Sequence, residues 1–186
     1  MQDEIEFVVK RIIAAIGEDA QREGLKDTPT RAAKAYREIF NGYSRSLAEE
    51  ITLFKNDRNF SGVIYSGRID FFSVCEHHLL PFFGQAHIAY IPGKEIVGLS
   101  KLARAVDIYA RRLQDQERIT HQVLEELEKL LNPKGMAIMI ESKHLCNMAR
   151  GVERVNSNMK TLQFSGKFSK DDNLQKQFFN LISDER

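Results

Sequence analysis

The sequence predicts an α+β fold: an antiparallel sheet with helices on one face, preceded by an N-terminal helical segment. Three observations carry this. Apolar residues recur at helical spacing near the start of the chain, and the texture turns to alternating, β-rich segments from about residue 62. Two amphipathic helices then separate this first pair of strands from a second pair. An order of strand–strand–helix–helix–strand–strand is that of an antiparallel sheet with its helices gathered on one side. Residues 1–60 are expected as the helical segment and 61–186 as the main domain, together one compact unit.

The first helix is predicted from Ile5, Val8, Val9, Ile12 and Ile16, with Gly17 as its stop. A mostly polar connection over Gly17 to Asp27 follows. Thr28 as N-cap and Pro29 at the first helical position open the second helix, with Ala32, Tyr36, Ile39 and Tyr43 on one stripe. Val63 to Tyr65, Ile69 to Val74 and Gln85 to Ile91 read as strand, the last ending at the turn Pro92-Gly93-Lys94. Helices are predicted over Ser100 to Leu113 and Glu117 to Leu131, the second closed by Asn132-Pro133-Lys134-Gly135. Met136 to Glu141 and Met159 to Phe164 complete the strands, and Asp171 to Ile182 forms a closing helix.

Composition excludes several classes. With 42% apolar and 28% charged residues, a chain of 186 is an ordinary globular domain. A net charge of +1 argues against a general nucleic-acid or membrane-surface binder, so any anion site must come from local clustering. No apolar run reaches about 18 residues, the length of a membrane-spanning helix. Met1-Gln2-Asp3-Glu4 lacks the basic start of a secretory signal, so a cytoplasmic, reducing setting is expected. There, cysteine beside histidine reads as metal-binding or catalytic.

Both cysteines do stand beside histidines, in Cys75-Glu76-His77-His78 and His144-Leu145-Cys146. Thiolate and imidazole are ligands that zinc prefers. Cys75 and His78 have the spacing that lets one loop supply two ligands. His144 and Cys146, two apart just past a strand, face the same way if the chain stays extended. Cys75, His78 and Cys146 make the best three-ligand set, leaving a position for a water that zinc acidifies toward hydroxide. His77 and His144 then stand beside the metal as general acid and base. The competing arrangement is a closed structural site with His144 as fourth ligand, and the two clusters alone do not choose between them. His87 and His121 belong to neither cluster and are expected as surface or packing residues.

Further on comes Gly98-Leu99-Ser100-Lys101-Leu102-Ala103-Arg104. Ser100 is predicted as N-cap, with Lys101 and Arg104 on one face of the first turn. Cations there oppose the helix dipole by about 0.3–1 kcal/mol each, an arrangement that makes sense where an anion binds. Taken alone the pair reads equally well as solvated charge. Beside a metal site it points to a phosphorylated substrate.

These segments resemble the GTP cyclohydrolase I family. The resemblance is carried by Cys75 to Phe82, Gly98 to Arg104, Gln114-Asp115-Gln116-Glu117-Arg118 and Glu141-Ser142-Lys143-His144-Leu145-Cys146. It is also carried by Arg22-Glu23-Gly24-Leu25-Lys26-Asp27-Thr28-Pro29 and the helix that follows, so it runs from about Arg22 to Gly151. It implies an enzyme that opens the imidazole ring of GTP, releases C8 as formate and recloses to 7,8-dihydroneopterin triphosphate, the first step of pterin and folate synthesis. It implies zinc on Cys75, His78 and Cys146, attack on C8 by the zinc-activated water, His144 protonating N7 and His77 assisting proton transfer. By the same similarity Gln116 and Glu117 contact the purine, Ser100 addresses the ribose-derived chain, and Lys101, Arg104 and Arg150 hold the triphosphate. The fold implied for 61–186 is the tunnelling fold, in a homodecamer with active sites at subunit interfaces.

The chain departs from the family's pattern after Arg150-Gly151-Val152, where a serine- and threonine-rich strand is usual. Here Asn156 to Phe164 keeps only Ser157 and Thr161 of that kind. Two other readings remain beside the cyclohydrolase. One is an enzyme of the same fold acting on another purine nucleotide or a pterin. The other is a non-catalytic nucleotide sensor with a closed, four-ligand zinc.

Overall fold

A computed structural model describes residues 3–185, which divide into two compact units, Met1–Asn41 and Gly42–Arg186. The first holds helices α1 (Glu4–Ala15) and α2 (Thr28–Ile39). Asp3 caps α1 by accepting a hydrogen bond from the Ile5 N–H at 2.9 Å, and the same carboxylate forms an ion pair with Arg37 of α2. Asp27, one residue before the predicted Thr28, is the N-cap of α2. The predicted apolar stripes are only partly covered. Ile13 is the buried residue of α1 while Val8, Ile12 and Ile16 are half-exposed or more, and α2 buries Pro29 and Ala33 instead of Tyr36. Two helices meeting along one seam bury a strip narrower than either apolar face.

The second unit runs α3 (Leu47–Glu50), β1 (Leu53–Lys55), β2 (Ile64–Cys75), β3 (Pro81–Ile91), β4 (Glu95–Val97), α4 (Leu99–Ala110), β5 (Leu113–Gln114), α5 (Gln116–Leu131), β6 (Gly135–His144), the single turn α6 (Leu145–Met148), β7 (Met159–Gly166) and α7 (Asp172–Ser183). Five strands make the main sheet in the order β5-β2-β3-β6-β7, and β1 pairs with β4 apart from it. All neighbours are antiparallel except β2 with β5, which pair in parallel at Val74↔Leu113 and Cys75↔Gln114. The strand segments predicted on either side of residue 67 are one continuous strand carrying a bulge. Its register slips between Ser66 and Ile69, where Arg68 has φ +48°.

The core corrects the expectation that helices cover one face. Ala86, Ile88 and Tyr90 of β3 and Met136, Ile138 and Ile140 of β6 pack with Leu102, Val106, Ile119, Val123 and Leu127 of α4 and α5. Their alternates, Ala89, Ile91, Ala137 and Met139, pack with Phe178 and Ile182 of α7 on the opposite face. The reason is legible in β6, where residues 135–140 are all buried. A strand covered on both faces reads as a continuous apolar run, not an alternation. Each fully buried Leu, Ile or Phe contributes about 1.5–3 kcal/mol.

At the ends of the helices, polar side chains satisfy otherwise unpaired backbone. Asp115 caps α5 by accepting from the Arg118 N–H at 2.6 Å, and Asn132 ends it in the left-handed conformation at φ +44°. Asp171 caps α7 through the N–H groups of Asn173 and Leu174.

Candidate metal centre and anion site

Cys75 is the last residue of β2 and His144 the last of β6, with β3 between them. Strands two apart in a sheet are separated by roughly 10 Å, too far for one ion to bridge. Both chains therefore turn inward past the end of β3. After β2 a tight turn does this: the Leu79 N–H donates to the Cys75 carbonyl at 2.8 Å, Cys75 N–H donates to the Leu80 carbonyl at 2.9 Å, and Leu79 takes φ +55°. After β6 the turn α6 does it, so the chain is not extended between His144 and Cys146 as the spacing argument assumed. The two side chains part company, His144 staying with the sheet and Cys146 swinging toward Cys75.

The outcome is a three-residue group. One ligand atom from each of Cys75, His78 and Cys146 lies within 4.8 Å of the others, and His78 Nδ1 is 3.5 Å from Cys75 Sγ. Both cysteines are free thiols. Two sulfurs and an imidazole nitrogen, converging from loops rather than from the sheet, suit a tetrahedral borderline-soft cation. Burial pushes the Cys146 thiol up, and the neighbouring Cys75 adds to this, while the charge of Arg150 works the other way. A bound cation would reverse that balance and deprotonate both sulfurs.

His77 lies on the rim, its side chain 65% exposed and its Nδ1 3.8 Å from Cys75 Sγ. His144 lies deeper. Its ring stacks on Phe82 with centroids 4.5 Å apart and planes 5° from parallel, and its Nε2 is 3.0 Å from Gln116 Oε1. Burial holds its pKa below the usual histidine value, opposed in part by the negative charge of Glu117. Glu117 itself is exposed at the start of α5. Gln116, beside it in sequence, is fully buried, its amide donating to the carbonyls of Ile140 and Met159 and accepting from Ser142.

The anion site differs in detail from its prediction. Gly98, not Ser100, occupies the N-cap of α4 and offers no side-chain bond. Ser100 becomes the second residue of the helix and Lys101 the third, while Arg104 moves into the next turn. Arg104 is half-exposed and donates to Glu50 Oε2 at 3.1 Å. Arg45 grips both oxygens of that carboxylate, at 2.8 and 2.9 Å, and reaches Asp107 at 2.6 Å. These cations, Arg45 first, hold the Glu50 carboxyl down to about 2. Arg150 is exposed just beyond α6.

Sequence reasoning missed the supports: Phe82 under the His144 ring, Ser142 and Thr161 around Gln116, Glu50 behind Arg104, and the Glu76–Arg118 ion pair. Ser142 alone carried a signal, as a polar residue extending an apolar run. Of the two histidines outside the clusters, His121 is exposed, and His87 is buried with Nδ1 2.7 Å from the Tyr65 hydroxyl.

Fold and site together define an α+β protein with a Cys-His-Cys group that can hold a cation, and with Arg45 and Arg104 gathered on Glu50 beside α4. A family model described as GTP cyclohydrolase I matches residues 5–183. Among curated proteins, GTP cyclohydrolase 1 of Chlorobium chlorochromatii is 45% identical over 182 residues, 98% of this chain and 82% of the relative. Those of Leptospira biflexa and Methylococcus capsulatus are each 43% identical, over 96% and 98% of this chain and 97% and 98% of theirs. A solved structure described as the archaeosine synthase QueF-Like in the apo form aligns at a TM-score of 0.47 and 17% identity, over 56% of this chain and 93% of that one. The chain belongs to the GTP cyclohydrolase I family. It is an enzyme of that class, a hydrolase, and no helix among the described residues is long and apolar enough to cross a membrane.

Proposed function

We propose that this enzyme converts GTP to 7,8-dihydroneopterin triphosphate with release of formate, as the first step of pterin and folate synthesis, and that its metal is zinc. The observation that carries the reading is the convergence of Cys75, His78 and Cys146 next to His144, in a chain of this family. Zinc held by those three residues would supply Lewis-acid activation of water for attack at C8. His144, clamped by Phe82 and Gln116, is set to protonate the purine nitrogen, and the exposed rim residue His77 to relay protons to solvent.

The remaining residues bind. Glu117 accepts hydrogen bonds from the guanine edge, and Ser100 orients the ribose-derived chain. Lys101, Arg104 and Arg150 neutralise the triphosphate, Arg104 exchanging part of its bond to Glu50 for a phosphate oxygen. Against the closed-site reading stands the engagement of His144 Nε2 with Gln116, outside the three-residue ligand group.

The family also supports a tunnelling fold over 61–186 and a homodecamer with active sites at subunit interfaces. A cytoplasmic location fits two thiols that must stay reduced to bind metal. Neither nucleic acid nor membrane is a proposed partner. The test is a GTP assay on purified protein with and without a strong chelator, following formate and the dihydropterin. Formation of both, abolished by chelation, is the expected result; zinc-loaded protein that makes neither would sink the proposal.

A further inference from the structure

Gln116 sits at the centre of a closed hydrogen-bond network whose directions are fixed by elementary chemistry. A carboxamide has an NH2 that only donates and an oxygen that only accepts. The Gln116 nitrogen faces the carbonyl oxygens of Ile140 at 3.0 Å and Met159 at 3.2 Å, and Thr161 Oγ1 at 3.1 Å. Turning the amide over would set oxygen against two carbonyl oxygens, so this end is the NH2. The hydroxyls agree. Thr120 gives its one hydrogen to the backbone carbonyl of Gln116 at 2.8 Å, so across the 2.6 Å contact Thr161 is the donor to Thr120 and keeps a lone pair for the Gln116 amide.

That leaves Gln116 Oε1 facing the Ser142 hydroxyl, which donates to it, and His144 Nε2 at 3.0 Å. The oxygen can only accept, so Nε2 must carry a hydrogen. Stacking on Phe82, itself fully buried, keeps the ring from rotating out of this contact. We propose that Gln116 is a positioning residue that holds the His144 hydrogen on Nε2, leaving Nδ1 as the ring nitrogen that takes a proton from the attacking water and passes it to the purine nitrogen. The second half of that statement rests on the cyclohydrolase reading; the first stands on geometry alone. Gln116 thus acts through His144, as the buried group behind the histidine does in a catalytic triad. Thr161, one of two hydroxyl residues kept in the divergent C-terminal strand, supports the amide from behind.

The test is solid-state NMR of zinc-loaded protein labelled with nitrogen-15 in histidine, in mildly alkaline buffer where an ordinary imidazole is neutral. The His144 signals are identified by their loss in His144→Gln. The expected spectrum has a protonated Nε2 and a bare Nδ1; a bare Nε2 with protonated Nδ1 overturns the proposal. Because this uses the wild-type chain, it decides even if Gln116 variants fail to fold. In Gln116→Leu, kcat should fall about tenfold to a hundredfold, the scale of a slightly misplaced catalytic group, with KM for GTP and zinc content kept. A raised KM with unchanged kcat would make Gln116 a purine contact and overturn it. Wild-type protein with the expected tautomer but no GTP turnover would uphold the lock while removing the cyclohydrolase reading.

Discussion

Glu76 and Arg118 meet as a two-pronged ion pair, both terminal guanidinium nitrogens donating to the two carboxylate oxygens, that to Oε1 at 2.9 Å. Arg118 also reaches Asp115 at 3.1 Å, and the Glu76 N–H donates to the Gln114 carbonyl at 3.0 Å. The residue next to the first metal ligand is thereby fastened to the start of α5, where Gln116 and Glu117 begin. The hydrogen bonds from Arg118, with its charge behind them, keep the Glu76 carboxyl below the usual glutamate range.

Arg118→Ala should therefore loosen the Cys75–His78 turn without unfolding the chain. Metal affinity is expected to drop about tenfold, the lower end of what outer-shell partners contribute. Competition with a coloured chelator measures it; an affinity equal to wild type would mean that the turn holds its shape unaided.

Cys146→Ala removes the one ligand supplied from beyond β6. The protein should stay folded and lose metal and turnover together, as read by metal analysis beside formate release. A variant that stays metal-loaded and active would break the ligand assignment.

His144→Ala separates chemistry from metal binding. Metal content should be unchanged while ring opening slows by about 10²–10⁴, the usual worth of a positioned general acid or base. Full turnover would remove His144 from the mechanism.

Arg104→Ala should raise KM for GTP by about tenfold to a hundredfold, the cost of one charge-assisted hydrogen bond, with a smaller change in kcat. Steady-state kinetics settle this. An unchanged KM would leave Arg104 as no more than the partner of Glu50.

Glu50 gives a pH prediction. Its carboxyl is lowered from 4.5 to about 2 in the folded protein, chiefly by Arg45. A group depressed on folding stabilises above its unfolded pKa and loses that contribution as pH falls through the folded one. The melting-temperature gap between wild type and Glu50→Gln should be constant above pH 4.5 and close as pH falls toward 2. A gap that widens on acidification would contradict the pairing with Arg45 and Arg104.

The residues that announced themselves in the sequence were those with unusual chemistry or sharp punctuation. Thiols beside imidazoles marked the three residues that converge into a group able to hold a metal, and Asn132-Pro133 marked the end of α5. What stayed hidden depends on the third dimension. Nothing local distinguishes a Ser100 cap from a Gly98 cap when the strand before it decides where the helix can start. The pair His144 and Cys146 suggested a shared direction only because an extended chain was assumed. Helices on both faces of the sheet were legible, in retrospect, from the unbroken apolar run Met136 to Ile140. The network around Gln116 could not have been read at all, because its members come from α5, β6 and β7 and are joined only by folding.

The placement of the ligands also sets an order of events during synthesis. A chain emerging from the ribosome presents Cys75 and His78 early, with half a coordination shell between them. Cys146 comes much later, and it reaches them only once β6 has paired with β3 and α6 has formed. Tight capture of the ion is therefore a late step, and a loaded site certifies that the centre of the sheet is assembled. The reverse also holds: parting β6 from β3 would separate Cys146 from Cys75 and His78, so an ion held by all three would be lost when the centre of the sheet opens.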